Sequence, residues 1–347
     1  MRVAINGFGR IGRMIFRANL MNPTINIVAV NDLGDPKQTA HLLKYDSNYG
    51  TLPMEVKGEP GKLTITRPDG TTSETILVQN RNPLELPWKG LNIDLVIECT
   101  GAFTSRKGAE QHITAGAKRV MISAPAKDEI DHTLLMGVNH TDYDPAKDFI
   151  ISNASCTTNC LAPVAKVLSQ KFGIKRGLMT TAHSYTNDQN LTDNDHKDFR
   201  RARSAALNII PTSTGAAKAI GLVIPELEGK LHGIALRVPT PVVSLVDLTV
   251  ELDKDTTAEE INAAMKTASE TPLEQGGLKG ILGYCNEPLV SMDFKMDTRS
   301  SIFDSEQTQV LGKTGNFIKI LAWYDNEWGY SMRCIDLAAY MASREKA

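Results

Sequence analysis

The sequence predicts an α/β protein in two parts: a doubly wound parallel sheet, then an α+β region with a mostly antiparallel sheet. Three observations carry this. Strand-like runs alternate with helix-like runs up to Ser155. The texture changes after that residue. Beyond it, long β-type runs stand close together, and such clustering favours antiparallel pairing. A chain of 347 residues, 41% of them hydrophobic, has room for two cores of this kind.

Each element follows from its pattern. "VAIN" (3–6) reads as a buried strand, and "GRMIFRANLM" (12–21) as a helix with Ile15, Phe16 and Leu20 on one face. "NIVAVND" (26–32) is a second strand; "LNIDLVIECTGAF" (91–103), "KRVMISAP" (118–125) and "DFIISNAS" (148–155) supply three more. A helix is expected from Cys156 to Phe172, bent at Pro163, which has no N–H to donate. Three β-type runs follow at 177–185, 233–252 and 317–326, with a helix over 257–270 before the last. An amphipathic helix over 330–345 ends the pattern. The domains expected are 1–154, 155–318, and 319–347 as a C-terminal segment whose helix packs back on the first domain.

Composition narrows the function. The net charge of -2 makes no global case for nucleic acid or an anionic membrane. Five cysteines (99, 156, 160, 285 and 334) without CxxC spacing suggest neither a disulfide framework nor a zinc site, so no metal is expected. "MRVAINGFGR" enters a strand pattern at once, without signal-peptide features, and no apolar run is long enough to span a bilayer. The expectation is a cytoplasmic protein with reduced thiols.

Two motifs carry chemistry. "INGFGRIG" is Gly7-x-Gly9-x-x-Gly12 between a strand and a helix. The first glycine permits a tight turn, the second lets backbone approach a pyrophosphate, and the third lets helix and strand pack closely. Asp32, at the end of the next strand, is placed to take ribose hydroxyls. Together these indicate a Rossmann-type dinucleotide-binding domain; the alternative is a tight glycine turn without a ligand. The second motif is "SNASCTTNCLAP", which puts Cys156 at a helix N-terminus between hydroxyl residues. A thiolate is favoured at the positive end of a helix, and a histidine can take its proton or pair with it. His183 in "TTAHSYTND" is the candidate partner, and Ser155, Thr157 and Thr158 surround the thiol with hydroxyls. The alternative is a core cysteine beside a helix cap.

"INGFGRIGR", "SNASCTTNCLAP", "TTAHSYTNDQ", "NIIPTSTGAAKA", "RVPTPVVS" and "WYDNEWGYS" together resemble the phosphorylating glyceraldehyde-3-phosphate dehydrogenases, in order and over the whole chain. The resemblance implies that Cys156 is the nucleophile and His183 its base. It implies conversion of D-glyceraldehyde 3-phosphate and inorganic phosphate to 1,3-bisphosphoglycerate, with NAD reduced, through a thiohemiacetal and a thioester. Thr186 and Arg237 then match the substrate-phosphate pocket; Ser155, Thr157, Thr214 and Gly215 match the attacking-phosphate pocket; and Arg201 matches a further phosphate contact. On the cofactor side, Arg10 and Ile11 would give backbone N–H groups to the pyrophosphate. Arg81 would meet the adenosine side, Ser123 the nicotinamide side, and Asn326 would fix the nicotinamide amide. A homotetramer is implied as well.

One departure bears on the cofactor. Asn194 and Asp195 stand before "HKD" where the family often has Leu-Pro, in a loop that reaches a neighbouring subunit's adenosine ribose. NAD is expected over NADP, because Asp32 and Leu33 offer no donor to a ribose phosphate, with some NADP use left open. The competing readings are an erythrose-4-phosphate dehydrogenase and an RNA-binding role for the basic run "HKDFRRAR" (196–203). "CLAP" after the cysteine favours the triose enzyme. Asp198 within the basic run and Asp195 just before it favour a solvated or phosphate-site segment.

Overall fold

The computed structural model describes residues 1–345. The chain forms two compact units. The first holds residues 1–134 and 141–154 together with the described residues from Ser331 onward; the second holds residues 135–140 and 155–330.

The first unit is built on a nine-stranded sheet. Its parallel part runs, in spatial order, through His132–Thr133, Ile150–Ser152, Arg119–Ile122, Leu95–Glu98, Arg2–Asn6, Asn26–Asn31 and Thr72–Val78. The central strands Arg2–Asn6 and Leu95–Glu98 are almost wholly buried and read as continuous apolar runs, as a strand covered on both faces must. Ala4, Ala29, Trp88, Ile93 and Val96 pack in one core cluster, and Ala109, Val120, Ile122 and Ile150 in another. The parallel, doubly wound pattern is as expected. An addition is the antiparallel run Glu55–Glu59, Lys62–Thr66 and Thr72–Val78 at one edge. Its strands are half polar, so the apolar pattern does not announce them.

The second unit carries a seven-stranded sheet in the order Ile210–Ser213, Leu231–Val238, Ile174–Ser184, Ser244–Thr256, Gly315–Tyr324, Ser301–Val310, Leu282–Cys285. Four of its pairings are antiparallel (210–213 with 231–238, 174–184 with 244–256, 244–256 with 315–324, 301–310 with 315–324) and two are parallel. Helix Cys156–Phe172 lies against the strands Ser244–Thr256, Ser301–Val310 and Gly315–Tyr324. It spans the expected residues, with Pro163 inside it. The run 233–252 is divided: strand Leu231–Val238 stops at Pro239, and Ser244–Thr256 begins after Val243, which sits at φ +67. The strand Gly315–Tyr324 lies inside this sheet, and residues 319–330 fall in the second unit. Among the described residues no helix is long and apolar enough to cross a membrane.

Candidate active site

In the first unit the parallel order turns back between Arg2–Asn6 and Leu95–Glu98, since the chain builds outward from this pair in both directions. A crevice forms at the carboxyl ends of strands where the order reverses. A cavity of about 460 Å³ lies there, lined by Asn6, Gly7, Gly9, Asn31, Asp32, Leu33, Asn80, Arg81 and Thr100 among others. Gly7 has φ +91, and a Cβ on it would stand 2.7 Å from the Thr100 amide nitrogen. A Cβ on Gly12 would stand 2.2 Å from the Gly7 carbonyl oxygen. Neither position accepts a side chain. Gly9 differs: its Cβ would meet no protein atom within 4 Å, and would fill the cradle before helix Arg10–Met21. No side chain caps that helix at Gly9. First-turn amides and the positive helix end suit an anion, so the cradle fits a pyrophosphate. Asp32 lines the same cavity as an acceptor for hydroxyls. These residues fit a dinucleotide.

Of the residues singled out in the sequence, Gly7, Gly9, Asp32 and Arg81 share this cavity. Arg10 and Ile11 open the helix; the Arg10 guanidinium is paired with Asp46, so its backbone is what can face a ligand. Ser123 follows the strand Arg119–Ile122 and donates its hydroxyl to the Glu98 carbonyl at 2.9 Å. Asn326 is in the second unit, buried, with its Oδ1 accepting from Ser244 Oγ at 3.0 Å.

In the second unit the chain enters helix Cys156–Phe172 through Ser155, whose Oγ accepts the Thr158 amide. Cys156 is therefore the first residue of the helix. His183 comes from the end of strand Ile174–Ser184, and Nε2 lies 3.5 Å from Cys156 Sγ. Parallel pairing sets His183 opposite Arg237 on the neighbouring strand. Arg237 Nη1 lies 2.8 Å from His183 Nδ1 and 3.0 Å from the Ser184 carbonyl, itself 2.7 Å from Nδ1. A guanidinium only donates and a carbonyl only accepts. Nδ1 cannot satisfy both with one proton, so two tautomers compete.

Burial, then the Arg237 charge, pushes the His183 imidazole down to about 3. Burial also pushes the Cys156 thiol up, while Arg237 and hydrogen bonds from Thr157 pull it back. Burial thus disfavours charge on both members of the pair. The helix end that favours a thiolate in the sequence is outweighed by desolvation. Cys160, one turn on, is fully buried and packs with its Sγ 3.6 Å from Ser301 Oγ.

The anion-site candidates are placed as follows. Thr214 Oγ1 accepts from the Ala216 amide, and Gly215 begins the helix Ala216–Val223 without a side-chain cap. Arg201 donates from Nε to Thr212 at 2.9 Å and is paired with Asp188. Thr186 opens a turn closed by the Gln189 amide. The Arg237 Nε is buried without a hydrogen-bond partner. Three participants were missed in the sequence. Tyr324 bridges Thr157 and Thr181 with its hydroxyl, at 2.9 and 2.8 Å. Ser244 orients Asn326, and Asp188 holds Arg201. Tyr324 stands two residues before Asn326, Ser244 closes "RVPTPVVS" and Asp188 lies in "TTAHSYTNDQ", so the same motifs could have disclosed all three.

The family profile described as "Glyceraldehyde 3-phosphate dehydrogenase, NAD binding domain" matches residues 1–106, and the one described as "Glyceraldehyde 3-phosphate dehydrogenase, C-terminal domain" matches residues 155–326. The chain is 57% identical over 343 residues to glyceraldehyde-3-phosphate dehydrogenase 1 of Bacillus cereus, covering 99% of each protein. It is 57% identical over 344 residues to the glyceraldehyde-3-phosphate dehydrogenase of Geobacillus stearothermophilus, and 56% over 347 residues to glyceraldehyde-3-phosphate dehydrogenase 2 of a Nostoc species, again at 99% of each. A cysteine–histidine pair in one unit, a dinucleotide cavity in the other, and likeness along the full length converge: the chain belongs to the glyceraldehyde-3-phosphate dehydrogenase family.

Proposed function

We propose that the protein oxidises D-glyceraldehyde 3-phosphate to 1,3-bisphosphoglycerate, with NAD as oxidant and inorganic phosphate as acyl acceptor. The observation that carries this is the 3.5 Å contact between Cys156 Sγ, at a helix N-terminus, and His183 Nε2. His183 takes the thiol proton at Nε2 as sulfur adds to the aldehyde carbon, and passes it to the aldehyde oxygen, which becomes the thiohemiacetal hydroxyl. It then takes the hydroxyl proton of the thiohemiacetal as that carbon gives up hydride, leaving a thioester on Cys156. NAD, when bound, supplies the two-electron acceptor. Phosphate oxygen attacks the thioester carbon, and the Cys156 thiolate leaves and takes back the proton held at His183 Nε2.

Arg237 and Thr186 would hold the substrate phosphate; the buried, unpartnered Arg237 Nε supports this, since leaving such a donor unpaired costs about 1–3 kcal/mol. Ser155, Thr157, Thr214, Gly215 and Arg201 would receive the attacking phosphate. Gly7, Gly9, Arg10, Ile11, Gly12, Asp32, Arg81, Ser123 and Asn326 would hold the cofactor. The test is a rapid-mixing assay without phosphate. A burst of one NADH per active site, followed by turnover once phosphate is added, is expected. Steady turnover that ignores phosphate would refute the acyl-transfer step.

A homotetramer in the cytoplasm completes the proposal. One face of the second sheet exposes Leu178, Ile234 and Phe317, an apolar patch suited to a second copy. The erythrose-4-phosphate alternative finds no support in the relatives. In the basic run, Arg201 pairs with Asp188 and Asp198, and Arg203 with Asp193. Such internal pairing favours the phosphate-site reading over RNA.

A further inference from the structure

At the floor of the dinucleotide cavity lies a polar chain that the chemistry above does not use. The side chains of Glu98 and His112 are fully buried. Trp88 Nε1 lies 3.1 Å from His112 Nδ1. An indole N–H only donates, so Nδ1 accepts and the ring proton sits on Nε2. Nε2 lies 3.1 Å from Glu98 Oε2, and Asn6 Nδ2 donates to that same oxygen at 2.6 Å. Glu98 Oε1 accepts the Thr100 amide at 2.7 Å and the Thr100 hydroxyl. Beyond Asn6, its Oδ1 accepts from Asn31 at 2.7 Å, and Asn31 is bound to the Asn80 backbone through both ends of its amide.

Every direction in this chain is determined. Donors run from Trp88 through His112 to Glu98, and from Asn31 through Asn6 to Glu98. Two carboxylate oxygens accept four hydrogen bonds and donate none. The outer members, Asn6, Asn31, Asn80 and Thr100, all line the cavity, and Thr100 stands against Gly7. Asn80 precedes Arg81 in the same lining.

We propose that Glu98 is a positioning residue for cofactor binding. It ties the ends of strands Arg2–Asn6 and Asn26–Asn31 and the Thr100 turn into one frame, and Trp88 and His112 hold its carboxylate in place. The inference rests on the reading that the cavity takes NAD. A glutamine at 98 keeps the size but sets an NH₂ against two donors, which a carboxylate never does.

The test is calorimetric titration of NAD into the full-length wild type, Glu98→Gln, Trp88→Phe and the double variant, with kcat at saturating NAD and the alkylation rate of Cys156 alongside. Glu98→Gln should weaken NAD binding about ten-fold, as loss of a charge-assisted hydrogen bond does, and Trp88→Phe should weaken it less. The double variant should match Glu98→Gln, because both changes act through one chain. The kcat and the alkylation rate should stay within about two-fold, a split that general loss of structure does not produce. An unchanged NAD affinity, or additive effects, would overturn the proposal. If Glu98→Gln does not fold, an unchanged affinity in Trp88→Phe overturns it alone. Failure of the wild type to bind NAD would sink the cofactor reading and this inference with it; wild-type binding with unaffected variants sinks only the inference.

Discussion

His112 and His183 are both buried, and the protein treats them in opposite ways. His112 has one donor, Trp88, at one ring nitrogen and a carboxylate, Glu98, at the other, with the Asn6 amide farther off at 3.4 Å, so a single tautomer serves both of its close partners. His183 has a carbonyl and a guanidinium contending for the same nitrogen, and a thiol at the other. The first arrangement holds structure still. The second keeps a proton movable, because no one placement satisfies all neighbours, and the Arg237 charge opposes an imidazolium. A buried histidine is thus assigned by its partners' hydrogen-bonding roles, not by its burial.

The largest effect expected is at the thiol. Cys156→Ser should lower the oxidation rate by at least about 10⁴-fold, since a serine hydroxyl is far harder to deprotonate and no other group can take its place. NAD affinity should not move. Measurable NADH production by that variant would place the chemistry elsewhere, and the contrast between the two histidines would lose its meaning.

Arg237→Leu tests the contest at Nδ1. The KM for the phosphorylated aldehyde should rise about 30-fold or more, the loss of roughly 2 kcal/mol or more of paired charge, with a much smaller change for unphosphorylated glyceraldehyde. The same charge favours the Cys156 thiolate, so its removal should move the alkylation profile of that cysteine to higher pH. A profile that stays put would show that Arg237 does not act on the thiol.

The pH dependence of stability is a subtler measure. The folded His183 is held below its ordinary value of 6.5, at about 3, so below pH 6.5 the unfolded chain binds a proton that the folded one does not. Stability from this group is present above that pH and is lost as pH falls. Between about pH 6 and 4, wild type should lose roughly 1 kcal/mol per pH unit more than His183→Asn. Parallel slopes in denaturant titrations would mean that His183 carries its proton in the folded protein. The smallest effect expected is in cofactor choice: the wild type should favour NAD, and Asp32→Gly with Leu33→Thr should raise the ratio of NADP to NAD kcat/KM. Salt screens an exposed ribose site, so discrimination, not exclusion, is anticipated.

Much of the first unit was legible because its function is carried by backbone. Gly7, Gly9 and Gly12 are read from spacing alone, and the structure gives each its reason in a φ value or a missing Cβ. The edge strands at 55–66 were not, since their polar alternation resembles loop. In the second unit Cys156 and His183 stand out by motif, but the break at Val243 and the tether from Ser244 to Asn326 leave no mark in local pattern.

The sequence by itself determined the alternation of strands and helices, the glycine turn with its acidic partner, and the placing of a cysteine at a helix start; each depends on residues near one another in the chain. Only tertiary structure decided the protonation of that cysteine's partner and the direction of the buried hydrogen bonds. Arg237 reaches His183, 54 residues away in the chain, through the pairing of their strands, and Trp88 reaches Glu98 through His112. Desolvation and charge act through space, and the energies that set a proton's position depend on distance and burial, neither of which is written along the chain.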